Sequence, residues 1–181
     1  IIDPTTGNGL RESATAGDLL ALSYFGYKIN PASPITEQLS VDDGSREEVV
    51  ALNGAMIVNR FSPSRFPSTL QSMKVQLPAN ADGSSPVGQQ MRIVAFVDPN
   101  RTGQPPANPT LIVDRTITIP TRDSRQYTEV VFPNPPTINA GDVYVGVQSA
   151  SASVSVGGDR NGRQQRRSFI STNNGGSFQP F

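Results

Sequence analysis

Met91-Arg92-Ile93-Val94-Ala95-Phe96-Val97 is an apolar run broken only by Arg92, and Asp98-Pro99-Asn100 closes it. A short run of this kind, bounded by turn formers, predicts a central strand with both faces covered. Asp142-Val143-Tyr144-Val145-Gly146-Val147-Gln148 places Val143, Val145 and Val147 at period two, which puts them on one strand face. Leu70–Leu77 alternates in the same way, with Met73, Val75 and Leu77 set against Lys74 and Gln76. Further extended segments are predicted over Ala51–Phe61, Thr110–Ile119, Gln126–Phe132, Val154–Val156 and Arg167–Ser171. Seven or eight strands at this spacing, with Pro and Gly turns between them, predict an all-β fold: an antiparallel, jelly-roll-like β-sandwich.

Composition agrees. The chain has 181 residues, enough for one domain with a core of its own. Its 16 prolines and 16 glycines are spread between the apolar runs as punctuation. The formal net charge is +0, so there is no basic footprint for general nucleic-acid binding or for electrostatic attachment to a membrane. Histidine, cysteine and tryptophan are all absent. That excludes a serine–histidine triad, a thiol nucleophile and a zinc site of the usual ligand types. No stretch is long and apolar enough for a membrane span and no signal peptide is visible. A start at Ile1 instead of Met predicts a processed or trimmed piece.

The first thirty residues differ. Ser13–Tyr27 carries a helix signal: Thr15 as N-cap, Asp18 in the first turn, Leu19, Leu22 and Phe25 at helical spacing, and Gly26 as a stop. Two or three turns need a partner surface to be stable. The predicted organisation is therefore a helical tail of a preceding domain over 1–30, a proline-bearing linker over 31–40, and the sandwich over 41–181.

Several segments resemble the jelly-roll accessory domains of secreted bacterial proteases and adhesins. They are the acidic opening Asp42-Asp43-Gly44, the strands through Asn59-Arg60-Phe61, Leu70–Val75 and Arg92–Asp98, the loop Gly103-Gln104-Pro105-Pro106, the strand at 141–148 and the closing turn Asn174–Phe178. Ile1-Ile2-Asp3-Pro4, with Asp18–Leu22 and Phe25-Gly26-Tyr27, resembles the end of a metzincin-type metalloprotease domain. No zinc motif is present to carry over. The resemblance implies a non-catalytic module of a larger secreted or cell-surface bacterial protein, monomeric within a multidomain chain, that spaces or presents an upstream enzyme or binds a surface ligand. It also makes a structural calcium conceivable.

Candidate sites follow from residue chemistry. Asp42, Asp43, Asp98 and Asn100 offer the oxygen-only ligands that suit calcium, although turns use the same residues for conformational reasons. Arg160, Arg163, Arg166 and Arg167 could contact an anion or an acidic polysaccharide; the plainer reading is a charged hairpin that blocks edge pairing. Most aromatics fall inside strand patterns, and Tyr127 and Tyr144 are the two best placed for exposure in a carbohydrate-binding module. The ligand-binding set is thus Tyr127, Tyr144, Arg163 and Arg166, and the partner class is an extracellular polysaccharide or protein. No spacing nominates a carboxylate pair of glycosidase type, so the expectation is no enzyme activity, with a carbohydrate-binding module and then a glycoside hydrolase as alternatives.

Overall fold

The computed structural model describes residues 36–42, 44, 46–79, 82–120, 127–151, 154–159 and 166–181. The chain divides into two compact units, Ile1–Gln38 and Leu39–Phe181. Only residues 36–38 of the first are described, so the helix over 13–27 and most of the linker lie outside the described residues. The fold that follows is that of the second unit.

It is an antiparallel β-sandwich. In chain order the strands are β1 (Glu48–Ala51), β2 (Met56–Phe61), β3 (Ser68–Thr69), β4 (Ser72–Gln76), β5 (Gln90–Asp98), β6 (Leu111–Thr118), β7 (Tyr127–Val131), β8 (Thr137–Ile138), β9 (Asp142–Gln148), β10 (Ser155–Gly158), β11 (Ser168–Ser171) and β12 (Gln179–Pro180). One sheet has six strands in the order β12-β11-β2-β9-β5-β6. The other layer is made of the pairs β1–β10, β4–β7 and β3–β8. Between the layers lie Ile57, Met91, Ile93, Ala95, Val143, Val145 and Val147 from the large sheet, against Val75, Val130, Ile138 and Val156 from the small pairs. Val143, Val145 and Val147 thus do share one face.

The opposite face of the large sheet is also covered. Met56, Val58, Val94, Phe96, Tyr144 and Phe169 form a second buried cluster there, with Leu111 and Phe178 packed against it. Phe96 stacks on Tyr144 with ring centroids 5.2 Å apart, and Phe178 tilts onto Phe96 at 5.7 Å. The central strands β5 and β9 are therefore buried on both sides, which explains why β5 reads as a continuous apolar run.

One expectation changes. Ala51–Phe61 is not one extended stretch. Asn53 and Gly54 both take positive φ, 42° and 90°, and the Ala55 N–H donates to the Leu52 carbonyl at 2.7 Å. An Asn-Gly pair suits such a turn because both residues tolerate that conformation. Here it moves the chain from β1 in one layer to β2 in the other. Gly157 and Gly158 lie in β10 opposite Val49 and Glu48, and a Cβ on Gly158 would come 2.6 Å from the Glu48 Cγ. β3, β8 and β12 have two residues each, too few to show any period.

Candidate binding surface at the arginine end

Asp98 closes β5 and Asp142 opens β9, and the register sets them side by side. Both are buried, at 4% and 5% exposure. Burying two carboxylates side by side calls for compensation. Asp142 finds it in arginine. Arg60 reaches from β2 to place Nε 4.0 Å from Asp142 Oδ2, and Arg101 from the β5–β6 loop places Nε 3.7 Å from Oδ1. Asp98 finds it in its own turn. Its Oδ1 accepts the Asn100 N–H at 3.0 Å, and its Oδ2 accepts the Thr102 N–H at 2.6 Å and hydroxyl at 2.7 Å. Burial pushes the Asp98 carboxyl up, but the bonds from Thr102 and Asn100, aided by the Arg60 charge, outweigh it and hold the group below its ordinary value.

That direction sets a pH dependence. A depressed carboxyl contributes stability that is fully present above its unfolded pKa, about 3.9, and that is lost as pH falls through its lower native value. Thr102→Val removes the hydroxyl donor. In carboxyl NMR titration Asp98 should then protonate at higher pH than in the parent chain, and acid unfolding should start earlier. An unmoved Asp98 titration would contradict the role given to Thr102.

Tyr144 stands opposite Arg60 and Phe96 in the ladder, fully buried at 0% exposure. The expectation of a presented Tyr144 ring is therefore corrected: Phe96 and Phe169 pack on the ring, and Leu111 and Phe178 cover this face. Desolvation pushes the hydroxyl up to about 12, with the charges of Asp98 and Asp142 adding to the shift and Arg60 opposing it. The Tyr144 hydroxyl, Arg60 Nε and Asp142 Oδ1 make no hydrogen bond. The corner is thus a desolvated, charge-balanced base and not an open cleft.

Its rim is basic. The Arg101 guanidinium lies 5.3 Å over the Phe66 ring, and Nη2 donates to the Pro63 carbonyl at 3.3 Å. These contacts hold the 62–67 loop, with exposed Arg65 and Phe66, beside Arg101. The Arg60 N–H donates to the Arg167 carbonyl at 2.8 Å, which brings Arg166 and Arg167 to the same edge. Arg166 is exposed, with φ at 70°. Among the described residues, the side chains of Arg65, Arg166 and Arg167 meet no carboxylate. Planar guanidiniums free of internal partners suit the oxygens of carboxylate or sulfate groups.

The structure separates the other predicted site residues. Asp98 and Asn100 share one turn, and Arg166 lies near them through Arg167 and Arg60. Tyr127 is 38% exposed and donates its hydroxyl to Asp42 Oδ1 at 2.6 Å; the same oxygen accepts the Gly44 N–H. Tyr127 alternates with inward-facing Val130 on β7, so Asp42 sits over the outer face of the small layer, whereas Asp98 shares the outer face of the large sheet with Phe96. Asp42 and Asp98, two of the predicted calcium ligands, therefore lie on different faces. Among the described residues no cluster of three or more acidic groups is placed to hold a metal. Asp43 and Arg163 lie outside the described residues. Residue patterns did not single out Arg60, Arg65, Phe66, Arg101 or Asp142 for this surface. The available signal was a carboxylate at the end of each central strand, Asp98 and Asp142, which calls for nearby cations.

No protein-family model matches the chain, and neither does any curated protein. Among solved structures it is similar to the cysteine protease and lectin-like domains of Cwp84, a surface layer associated protein of Clostridium difficile. The TM-score is 0.50 at 18% identity, and the match covers 74% of this chain and 31% of that one. At that identity the likeness is one of fold. Among the described residues no helix is long and apolar enough to cross a membrane.

Proposed function

We propose that the chain is a non-catalytic β-sandwich module of a larger secreted or cell-surface protein, and that its arginine end contacts an acidic extracellular polysaccharide. The observation that carries this reading is charge segregation: a chain of net charge +0 gathers Arg65, Arg166 and Arg167, which meet no carboxylate among the described residues, beside half-exposed Arg101 at one end. The fold likeness to a chain that holds a lectin-like domain and is associated with a surface layer supports a binding module in that setting. The absence of catalysis is supported by the commitment of the carboxylates on this face. Asp98 caps its turn, Asp142 faces two arginines, and Asp114 is paired with Arg92. In this reading residues 1–30 belong to a preceding domain, of the protease type their sequence resembles.

The purified chain should bind immobilised heparin or polygalacturonate at low salt and release it as salt rises, since exposed charges are screened. Arg65→Ala/Arg166→Ala should weaken binding about fivefold to tenfold while leaving the fold intact. Retention insensitive to both salt and this substitution would refute the arginine end as the contact surface. Turnover of a glycan or protein substrate, lost on a single Asp or Glu substitution, would show an enzyme instead.

A further inference from the structure

A second polar cluster lies on the same outer face of the large sheet, toward the other end of β5. Arg92 donates from Nε and Nη2 to the two carboxylate oxygens of Asp114 at 2.6 and 2.8 Å. Its Nη1 donates to Gln148 Oε1 at 2.9 Å and to Asn174 Oδ1 at 3.0 Å. Four of the five guanidinium N–H groups are thereby used, and one on Nη2 remains. Because its Oδ1 accepts from Arg92, the Asn174 carboxamide keeps its NH2 for another partner. The pairing raises the Arg92 pKa and lowers that of Asp114, and the two charges cancel locally.

Beside this cluster is a cleft of about 250 Å³ lined by Met56, Arg92, Asn108, Pro109, Leu111, Asn174 and Gly175. Its two walls are tied together, since the Asn108 N–H donates to the Gly175 carbonyl at 2.8 Å. The Asn108 side chain is exposed and makes no hydrogen bond among the described residues. Leu111 and Pro109, both half-buried, supply an apolar edge over the buried Met56.

We propose that this cleft seats one uncharged sugar ring. The apolar surface matches the C–H face of such a ring. Arg92, Asn108 and Asn174 offer both donors and acceptors to its hydroxyls, and Asp114 stands next to them. A charged ligand gains nothing here, because Arg92 is already neutralised. At about 250 Å³ the cleft suits one small ring, below the roughly 300 to 1,000 Å³ of sites that enclose drug-sized molecules. The tie between the two loops keeps the walls in place before binding, which lowers the ordering cost. The site rests on the glycan-binding reading above but shares no residue with the arginine end.

The test is an NMR titration of the 181-residue chain with a panel of neutral hexoses, pentoses, N-acetylhexosamines and their oligomers. Shifts should appear at the Met56 methyl, the Asn108 and Gly175 amides and the Arg92 Nε–H. Asn108→Gly removes the carboxamide but tolerates the native φ of 49°, so it should weaken binding about tenfold without loss of fold. Arg65→Ala/Arg166→Ala should bind neutral sugars as the parent does. The proposal is overturned if no panel member shifts these signals, or if Asn108→Gly binds equally well. Loss of neutral-sugar binding alone leaves the arginine end standing; loss of acidic-polymer binding alone leaves the cleft standing.

Discussion

Gly146→Ala should cost the chain about 3 kcal/mol or more, a large part of the roughly 5–15 kcal/mol that holds a domain folded. Gly146 lies in β9 between Val58 of β2 and Val94 of β5. A Cβ built there lands on the Ile57 carbonyl oxygen and comes 2.7 Å from both Cα and Cγ1 of Val58. The oxygen and the Cα are backbone atoms, so no rotamer change relieves the clash. The β2–β9 ladder at the centre of the six-stranded sheet has to open instead. Gly176→Ala is the matched control. Its nearest neighbours are the Asn173 carboxamide nitrogen at 3.0 Å and backbone carbonyl oxygen at 3.3 Å, contacts relieved by a shift of a few tenths of an ångström, and it should cost about 1 kcal/mol. Urea unfolding of both variants measures the contrast, and equal midpoints would contradict it.

Arg60→Ala should also destabilise strongly, by about 3 kcal/mol. Breaking a buried ion pair costs about 3–5 kcal/mol because the remaining charge is left desolvated. The lower end applies here, since the Arg60 side chain is 21% exposed and the Nε–Oδ2 distance is 4.0 Å. What remains is Asp142 beside Asp98, with only the half-exposed Arg101 to compensate. Arg65→Ala, on the exposed rim, should change stability by no more than about 0.5 kcal/mol. In a double-mutant cycle, Arg60→Ala/Asp142→Ala should cost less than the sum of the single changes, as expected of groups in one network. Strict additivity would show that the two side chains do not interact.

Strand positions are legible in this chain wherever a segment is long enough to display a period. β5, β6, β7 and β9 fall inside or at the edge of the predicted runs because eight or so residues of alternating or unbroken apolar character have few other uses. The Asn53-Gly54 turn was readable from its own residues, yet the apolar residues on both sides read as one strand. The side chains of β1 and β2 do not announce that they belong to different layers. Tyr144 was misplaced for a similar reason. Alternation along β9 puts it opposite the valines, but only Leu111 and Phe178, distant in sequence, decide whether that opposite face is wet.

The candidate surfaces were less legible still. Arg92 stood out as the one charged residue in an apolar run, and Asp98 as an acid at the end of a central strand. Their partners come from 22, 56 and 82 residues away for Arg92, and no local pattern records such pairings.

By itself, then, the sequence determines an all-β module of turn-punctuated strands from about residue 41 onward. It also determines a chemistry without histidine, cysteine or a basic excess, because composition and period two depend only on residues near one another. Tertiary structure alone decides which face of each strand is buried, which arginines find an acid and which are left at the surface. Those outcomes depend on sheet order and loop cover, and strands that are neighbours in the sheet, such as β2 and β9, are far apart in the chain.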